Sequence, residues 1–194
     1  MPASISDYIP QCGPSSTGAL RKSLVAWGVV VVVALVLLAL VTIAPLMLAQ
    51  GYFAVSHAIY SAFRAVCHQM PGRSLHVENH PLAVCARCFG LYAGFAVGAS
   101  IYPLLRSVRR KDTPARMWLL IGVLPTATDF ALGIIGVWEN THLSRSLTGA
   151  LFGVVVAFYV VPGVVDLTYT NWRNALRPRS FSGERLSSTA TGDF

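Results

Sequence analysis

Four long apolar runs, separated by short polar stretches, dominate the chain. The first runs from Leu24 to Leu48 and includes five consecutive valines, Val29 to Val33. A helix needs about 20 apolar residues to cross the hydrocarbon core of a bilayer, so this run predicts a span. Arg21 and Lys22 precede it as basic residues precede a signal peptide. A signal peptide's apolar region is about 7–15 residues long, however, and this one exceeds that. Val84–Leu105, Met117–Trp138 and Leu147–Val165 are the other three runs. The second is interrupted by Arg87 near its start, and the third holds Asp129.

Between the first two runs, Phe53, Ile59, Tyr60, Phe63 and Val66 recur at near-helical spacing, with His57 and Arg64 among them. This pattern predicts an interfacial helix or the end of the first span. Residues 67–82 are polar, contain Pro71, Gly72, Asn79 and Pro81, and read as a loop. The pattern as a whole predicts an all-α integral membrane protein, a bundle of about four transmembrane helices. Residues 1–22 read as a mobile tail, 23–166 as the membrane domain with a Cys/His loop at 49–83, and 167–194 as a basic, largely disordered tail.

Composition agrees. Hydrophobic residues make up 54% of the 194 and charged residues 12%, about half the charge of an ordinary soluble domain. The net charge is +7, from 15 Lys and Arg against 8 Asp and Glu. Those basic residues sit in short stretches between spans, which points to membrane orientation rather than nucleic-acid binding. Arg21 and Lys22 flank the first span; Arg106, Arg109, Arg110, Lys111 and Arg116 fill the loop between the second and third. Arg173, Arg177 and Arg179 follow the last. The other two loops are poorer in Lys and Arg, so both termini are expected in the cytoplasm and the Cys loop outside. The expected location is the cell membrane, as a multi-pass protein, with the lipid bilayer as its first partner.

Gly90, Gly94 and Gly98 fall four apart on the second span, and Gly149, Gly153 and Ala157 on the fourth. Small residues at that spacing let helices approach closely in lipid. They explain assembly rather than chemistry.

The chemistry is expected around the cysteines. Cys12 lies in the N-terminal tail, whereas Cys67, Cys85 and Cys88 cluster in the outer loop and at the start of the second span. Cys85 and Cys88 form a C-x-x-C pair whose sulfurs fall on one side of a first helical turn, where free N–H groups favour thiolates. Thiolates bind metals and attack disulfides. For a metal, the donor chemistry is that of zinc or another transition metal, with Cys67, Cys85, Cys88 and one of His68, His76 or His80 as ligands, His68 first. For redox chemistry, Cys85 and Cys88 would cycle with Cys67 as partner, as in the quinone-linked disulfide-forming membrane enzymes. Those enzymes usually carry a second loop pair, where this chain has one cysteine. A plain structural disulfide would leave an odd thiol.

Asp129 inside an apolar run costs at least ~2.5 kcal/mol by insertion scales, so it is expected to face the bundle interior and pair. It is a candidate base or orienting carboxylate. Arg87 and Arg145 share its outer half. Glu139 and His142 read as solvated loop residues and His57 as an interfacial one.

Cys-His-Gln-x-Pro-x-Arg-Ser at 67–74 and Val-Cys-Ala-Arg-Cys-x-Gly-x-Tyr at 84–92, followed by Pro125 with Asp129, Glu139-Asn140 and Arg145-x-x-Thr148-Gly149, resemble the DUF2085 family of bacterial and archaeal membrane proteins. The resemblance covers roughly residues 60–155. It implies a shared polar site at Cys67, His68, Gln69, Arg73, Ser74, Cys85, Arg87, Cys88, Asp129, Arg145 and Thr148, and no named reaction. Family members often have Gly after the third-span Asp, where this chain has Phe130.

These readings converge on three functional expectations. The first is an outward metal site, with Arg73, Gln69, Ser74 and Thr148 binding a lipid-like or anionic substrate and Asp129, Arg87 and Arg145 as catalytic candidates. The second is a quinone-linked thiol oxidoreductase. The third is a small transporter with Asp129 in its path, which would require a homo-oligomer. Whether the protein is an enzyme is left open by the sequence.

Overall fold

The computed structural model describes residues 16–108, 113–137 and 140–169. Cys12, Arg109, Arg110, Lys111, Trp138, Glu139, Arg173, Arg177 and Arg179 fall outside them. Five helices are described: α1 (Ser16–Ala49), α2 (Phe53–Arg64), α3 (Ala86–Leu105), α4 (Met117–Ile135) and α5 (His142–Tyr169). Four of them, all but α2, are long and apolar enough to cross a membrane. The expected all-α bundle of four spans is therefore present.

The boundaries differ from the apolar runs where polar residues extend a helix. α1 begins at Ser16, inside the expected tail, and α5 spans His142 to Tyr169, longer at both ends than its apolar run. Backbone hydrogen bonds carry a helix past the last apolar side chain, so hydropathy marks the lipid-facing part only. α4 stops at Ile135, where Gly136 takes a left-handed conformation (φ +76°) that ends the helix.

Segment 53–64 is a separate helix rather than the end of α1. The chain turns at Gln50–Tyr52, with Gly51 at φ +84°, and α2 folds back on α1. Ser56, fully buried, donates its hydroxyl to the Ala44 carbonyl at 2.9 Å. The loop expected at 67–82 holds more structure than its composition suggests. A single 3₁₀ turn, Pro71–Arg73, precedes a two-stranded antiparallel hairpin, β1 (His76–Val77) and β2 (His80–Pro81). Glu78 and Asn79 make its two-residue turn with φ of 49° and 62°, the twist that hairpin strands require.

α3 and α5 are the closest pair. A Cβ on Gly90 or Gly94 would strike the backbone of Ser146 or Ala150, and one on Gly149 or Gly153 that of Arg87 or Leu91. The small-residue stripe on each helix thus faces the other helix's backbone. α1 packs against both. Its Trp27 donates an indole N–H to the Ala99 carbonyl at 2.8 Å. α4 leans mainly on α5, joined by the Thr126 hydroxyl to the Thr148 carbonyl at 2.9 Å. The outward side of α4 exposes Trp118, Leu120, Ile134 and Ile135, as a lipid-facing helix does.

Candidate metal and anion site at one end of the bundle

The end of the bundle formed by α2, the hairpin loop, the start of α3, the end of α4 and the start of α5 gathers the polar residues. Cys67 follows the last turn of α2, its N–H bonded to the Phe63 carbonyl at 3.0 Å. It is buried among Val41, Ala44, Phe63, Leu82, Ala83 and Val84. Cys85 is the residue that caps α3, and its backbone N–H donates to the Cys67 sulfur at 3.2 Å. Cys88 lies in the first turn. The three sulfurs lie within 4.8 Å of one another, and none of these cysteines is bridged. Zinc holds thiolates at about 2.3 Å, so one ion's ligand shell spans this cluster. The Cys85 thiol is pulled down to about 5. The hydrogen bond from the Cys88 thiol is the main cause, helped by the Cys88 and Arg87 backbones and the Cys67 thiol, against burial. Thiolate is the metal-binding form.

His68 is exposed and stands outside the three-sulfur cluster, yet it lines the same cavity. That cavity, about 370 Å³, is walled by Cys67, His68, Gln69, Arg73, Cys88 and Phe130 among others. His76 is exposed and His80 half-buried on the hairpin strands.

Gln69 holds the loop shut. Its amide N–H₂ donates to the Tyr60 carbonyl at 2.7 Å and the Ala83 carbonyl at 2.8 Å, from a backbone at φ +51°. This clamps the end of α2 to the strand leading into Cys85. The Tyr60 hydroxyl donates to the Pro81 carbonyl, and burial raises its pKa. Ser74 is fully buried and donates to the Met70 carbonyl at 3.0 Å. Thr148 donates to the Ser144 carbonyl one turn back at 2.9 Å. Gln69, Ser74 and Thr148 thus bond to backbone in this structure.

Asp129 is buried, as its cost in lipid requires. One oxygen accepts the Arg87 guanidinium at 2.5 Å and the Asn140 amide at 3.2 Å. The other accepts the Ser144 hydroxyl at 3.0 Å. Asn140 also donates to the Asp129 carbonyl at 2.6 Å. It fits because residue 133 is glycine: a Cβ there would come within 2.7 Å of the Asn140 amide nitrogen. The Arg87 guanidinium stands 5.5 Å from the centroid of the Phe130 ring, a cation–π contact. Gly133 and Ser144 were not singled out by sequence; their signal is a small residue one turn beyond Asp129 and a hydroxyl near the start of α5.

Beside this network lies a cavity of about 560 Å³, lined by Arg73, Cys85, Arg87, Phe130, Asn140 and Arg145 among others. It shares Arg73, Cys85 and Phe130 with the cysteine cavity. The three cysteines, three arginines and Asp129 therefore belong to one end of the molecule.

Sequence comparison agrees with this picture. The model of the family described as predicted membrane protein DUF2085 matches residues 67–159. Uncharacterized protein MJ1492 of Methanocaldococcus jannaschii is 36% identical over 119 residues, 61% of this chain and 76% of the relative. The chain belongs to the DUF2085 family. An uncharacterized protein of Methanothermobacter thermautotrophicus is 33% identical over 95 residues, 49% of this chain and 84% of its own length. No solved structure matches. The family match begins at Cys67 and ends within α5, so it takes in all three clustered cysteines and Asp129.

Proposed function

We propose that this DUF2085 protein is a multi-pass membrane protein built around a transition-metal centre, zinc by its donor set, held by Cys67, Cys85 and Cys88. His68, on the wall of the same cavity, is the fourth ligand or yields that position to a substrate. The observation that carries this reading is the convergence of three sulfurs within 4.8 Å, one of them with a pKa lowered to about 5. By the distribution of Lys and Arg between the loops, the centre faces the cell exterior and both termini the cytoplasm.

A metal with an open position polarises a bound oxygen or activates water. A lipid-like or anionic substrate is the class that fits a basic cavity at a membrane end. Arg87 and Arg145 serve as charge-stabilising residues there. Asp129 is the orienting carboxylate rather than the base, because both its oxygens are engaged and one holds Arg87. The same engagement leaves it without the freedom a proton path through a transporter requires. A second reading, thiol exchange linked to a quinone, draws on the lowered Cys85 thiol with Cys67 in reach.

The test is elemental analysis and free-thiol titration on protein purified anaerobically. About one zinc per chain, lost in Cys85→Ser and in Cys88→Ser, supports the centre. Absence of metal together with a reducible Cys85–Cys88 disulfide overturns it in favour of redox exchange.

A further inference from the structure

The Asp129 network contains two buried atoms without a hydrogen-bond partner: Arg87 Nε and Asn140 Oδ1. Leaving a buried polar atom unpaired costs about 1–3 kcal/mol, more for charged groups. Both residues line the 560 Å³ cavity, as do Arg73 and Arg145. The donor is unused because Asp129 takes Arg87's Nη2 and leaves Nε over. The acceptor is unused because Asn140's N–H₂ is fixed by two Asp129 oxygens. Among the described residues Arg87–Asp129 is the single ion pair. Among those residues no carboxylate pairs with Arg73 or Arg145, which bring two positive charges to the cavity.

We infer that this cavity is a binding site for a phosphate monoester or diester group, seated between Arg73, Arg87 and Arg145, with Asn140 Oδ1 accepting from a protonated phosphate oxygen or a neighbouring hydroxyl. The inference deepens the metal-centre reading, since it names the substrate class for the same end of the bundle. A carboxylate is satisfied by one guanidinium in a bidentate pair. Three guanidiniums, one of them half-buried and held in place, match a group with three or four oxygens. Arg87 is pre-set for this by Asp129 on one side and Phe130 on another, so little side-chain freedom is lost on binding. Asn140 adds a requirement that a fully ionised, hydroxyl-free anion does not meet. Cys85 lines both this cavity and the cysteine cavity, so a bound phosphate and a bound metal would be neighbours. The group has two sources, a phospholipid headgroup entering from the bilayer or a soluble phosphate entering from outside.

The test uses the full chain in detergent and native mass spectrometry with phosphatidic acid, diacylglycerol and inorganic phosphate as probes. Phosphatidic acid should be retained about tenfold more than diacylglycerol. Arg73→Gln and Arg145→Gln should each weaken that retention about tenfold, and the exposed Arg64→Gln should leave it unchanged. Displacement of the lipid by inorganic phosphate assigns the site to phosphate from either source. Lipid binding that inorganic phosphate fails to displace assigns it to the headgroup. No preference over diacylglycerol, or an equal loss in Arg64→Gln, overturns the inference. Zinc is counted on the same samples. Zinc without phosphate selectivity sinks the anion site alone, and selectivity without zinc sinks the metal centre alone.

Discussion

The Arg87 guanidinium, on α3, meets the Asp129 carboxylate, on α4, at 2.5 Å, with the carboxylate almost fully buried. Two residues of opposite charge that sit 42 positions apart, each inside an apolar run, are placed side by side by the bundle. The pair answers how this chain tolerates charges in its spans. Each is neutralised by the other, and Asn140 and Ser144 satisfy the remaining carboxylate lone pairs.

Removing Asp129 leaves the half-buried Arg87 charge without its partner. Asp129→Leu should destabilise the protein by about 3 kcal/mol. The double variant Arg87→Met with Asp129→Leu should be less destabilised than the sum of the singles. Thermal unfolding in detergent, followed by circular dichroism, measures both. Additive effects would show that the two residues do not act as a pair.

The α3–α5 stripe gives a second contrast. Gly94→Ala puts a methyl group into the Ala150 backbone, and Gly149→Ala into that of Arg87. Both should lower the unfolding temperature, because neither neighbour is a side chain that can turn away. Gly28→Ala meets nothing within 4 Å and should be neutral or stabilising by up to about 1 kcal/mol, the helix-propensity gain.

The lowered Cys85 thiol sets a pH dependence. In metal-free protein, the rate of Cys85 alkylation should be close to its plateau by neutral pH and fall through about pH 5, rather than through the ordinary 9.0. The sign follows from the direction of the shift. The folded state favours the thiolate, so the stabilisation it brings is complete above the ordinary thiol range and is lost as pH falls through about 5. Cys88→Ala removes the largest cause and should move the midpoint upward. Mass-spectrometric labelling against pH reads this directly, and an unmoved midpoint would contradict the assigned cause.

Gln69 is the clamp of the cysteine loop. Gln69→Ala frees the Tyr60 and Ala83 carbonyls and should weaken metal retention about 10–100-fold, as loss of an outer support typically does. Competition with a chelator measures it. Retention equal to that of the unaltered protein would show that the loop holds its shape without the clamp.

Much of this was legible in the sequence. Length and hydropathy mark the four spans because lipid demands about 20 apolar residues per helix. The spacing of Gly90, Gly94 and Gly98 marks the α3–α5 contact. The cost of Asp129 in lipid predicts burial and a partner, and Arg87 is that partner. The C-x-x-C pair with Cys67 predicts the sulfur cluster. What the sequence did not show is how the loop closes. Glu78-Asn79 lacks the glycine that usually signals a tight hairpin, so nothing in the composition separates β1 and β2 from a loop. Gly133 and Ser144 were missed because which side of α4 faces α5 is not written in a helix apolar almost all round. The fourth ligand is not fixed by spacing: His68 lies exposed on the wall of the cysteine cavity, outside the three-sulfur cluster.

The central claim is that three cysteine sulfurs share one metal ion. X-ray absorption at the zinc edge, on anaerobically purified protein, tests it most directly. The account predicts three sulfur neighbours at about 2.3 Å with one nitrogen or oxygen, reduced in Cys85→Ser. A shell of nitrogen and oxygen alone, or no bound metal, would contradict it.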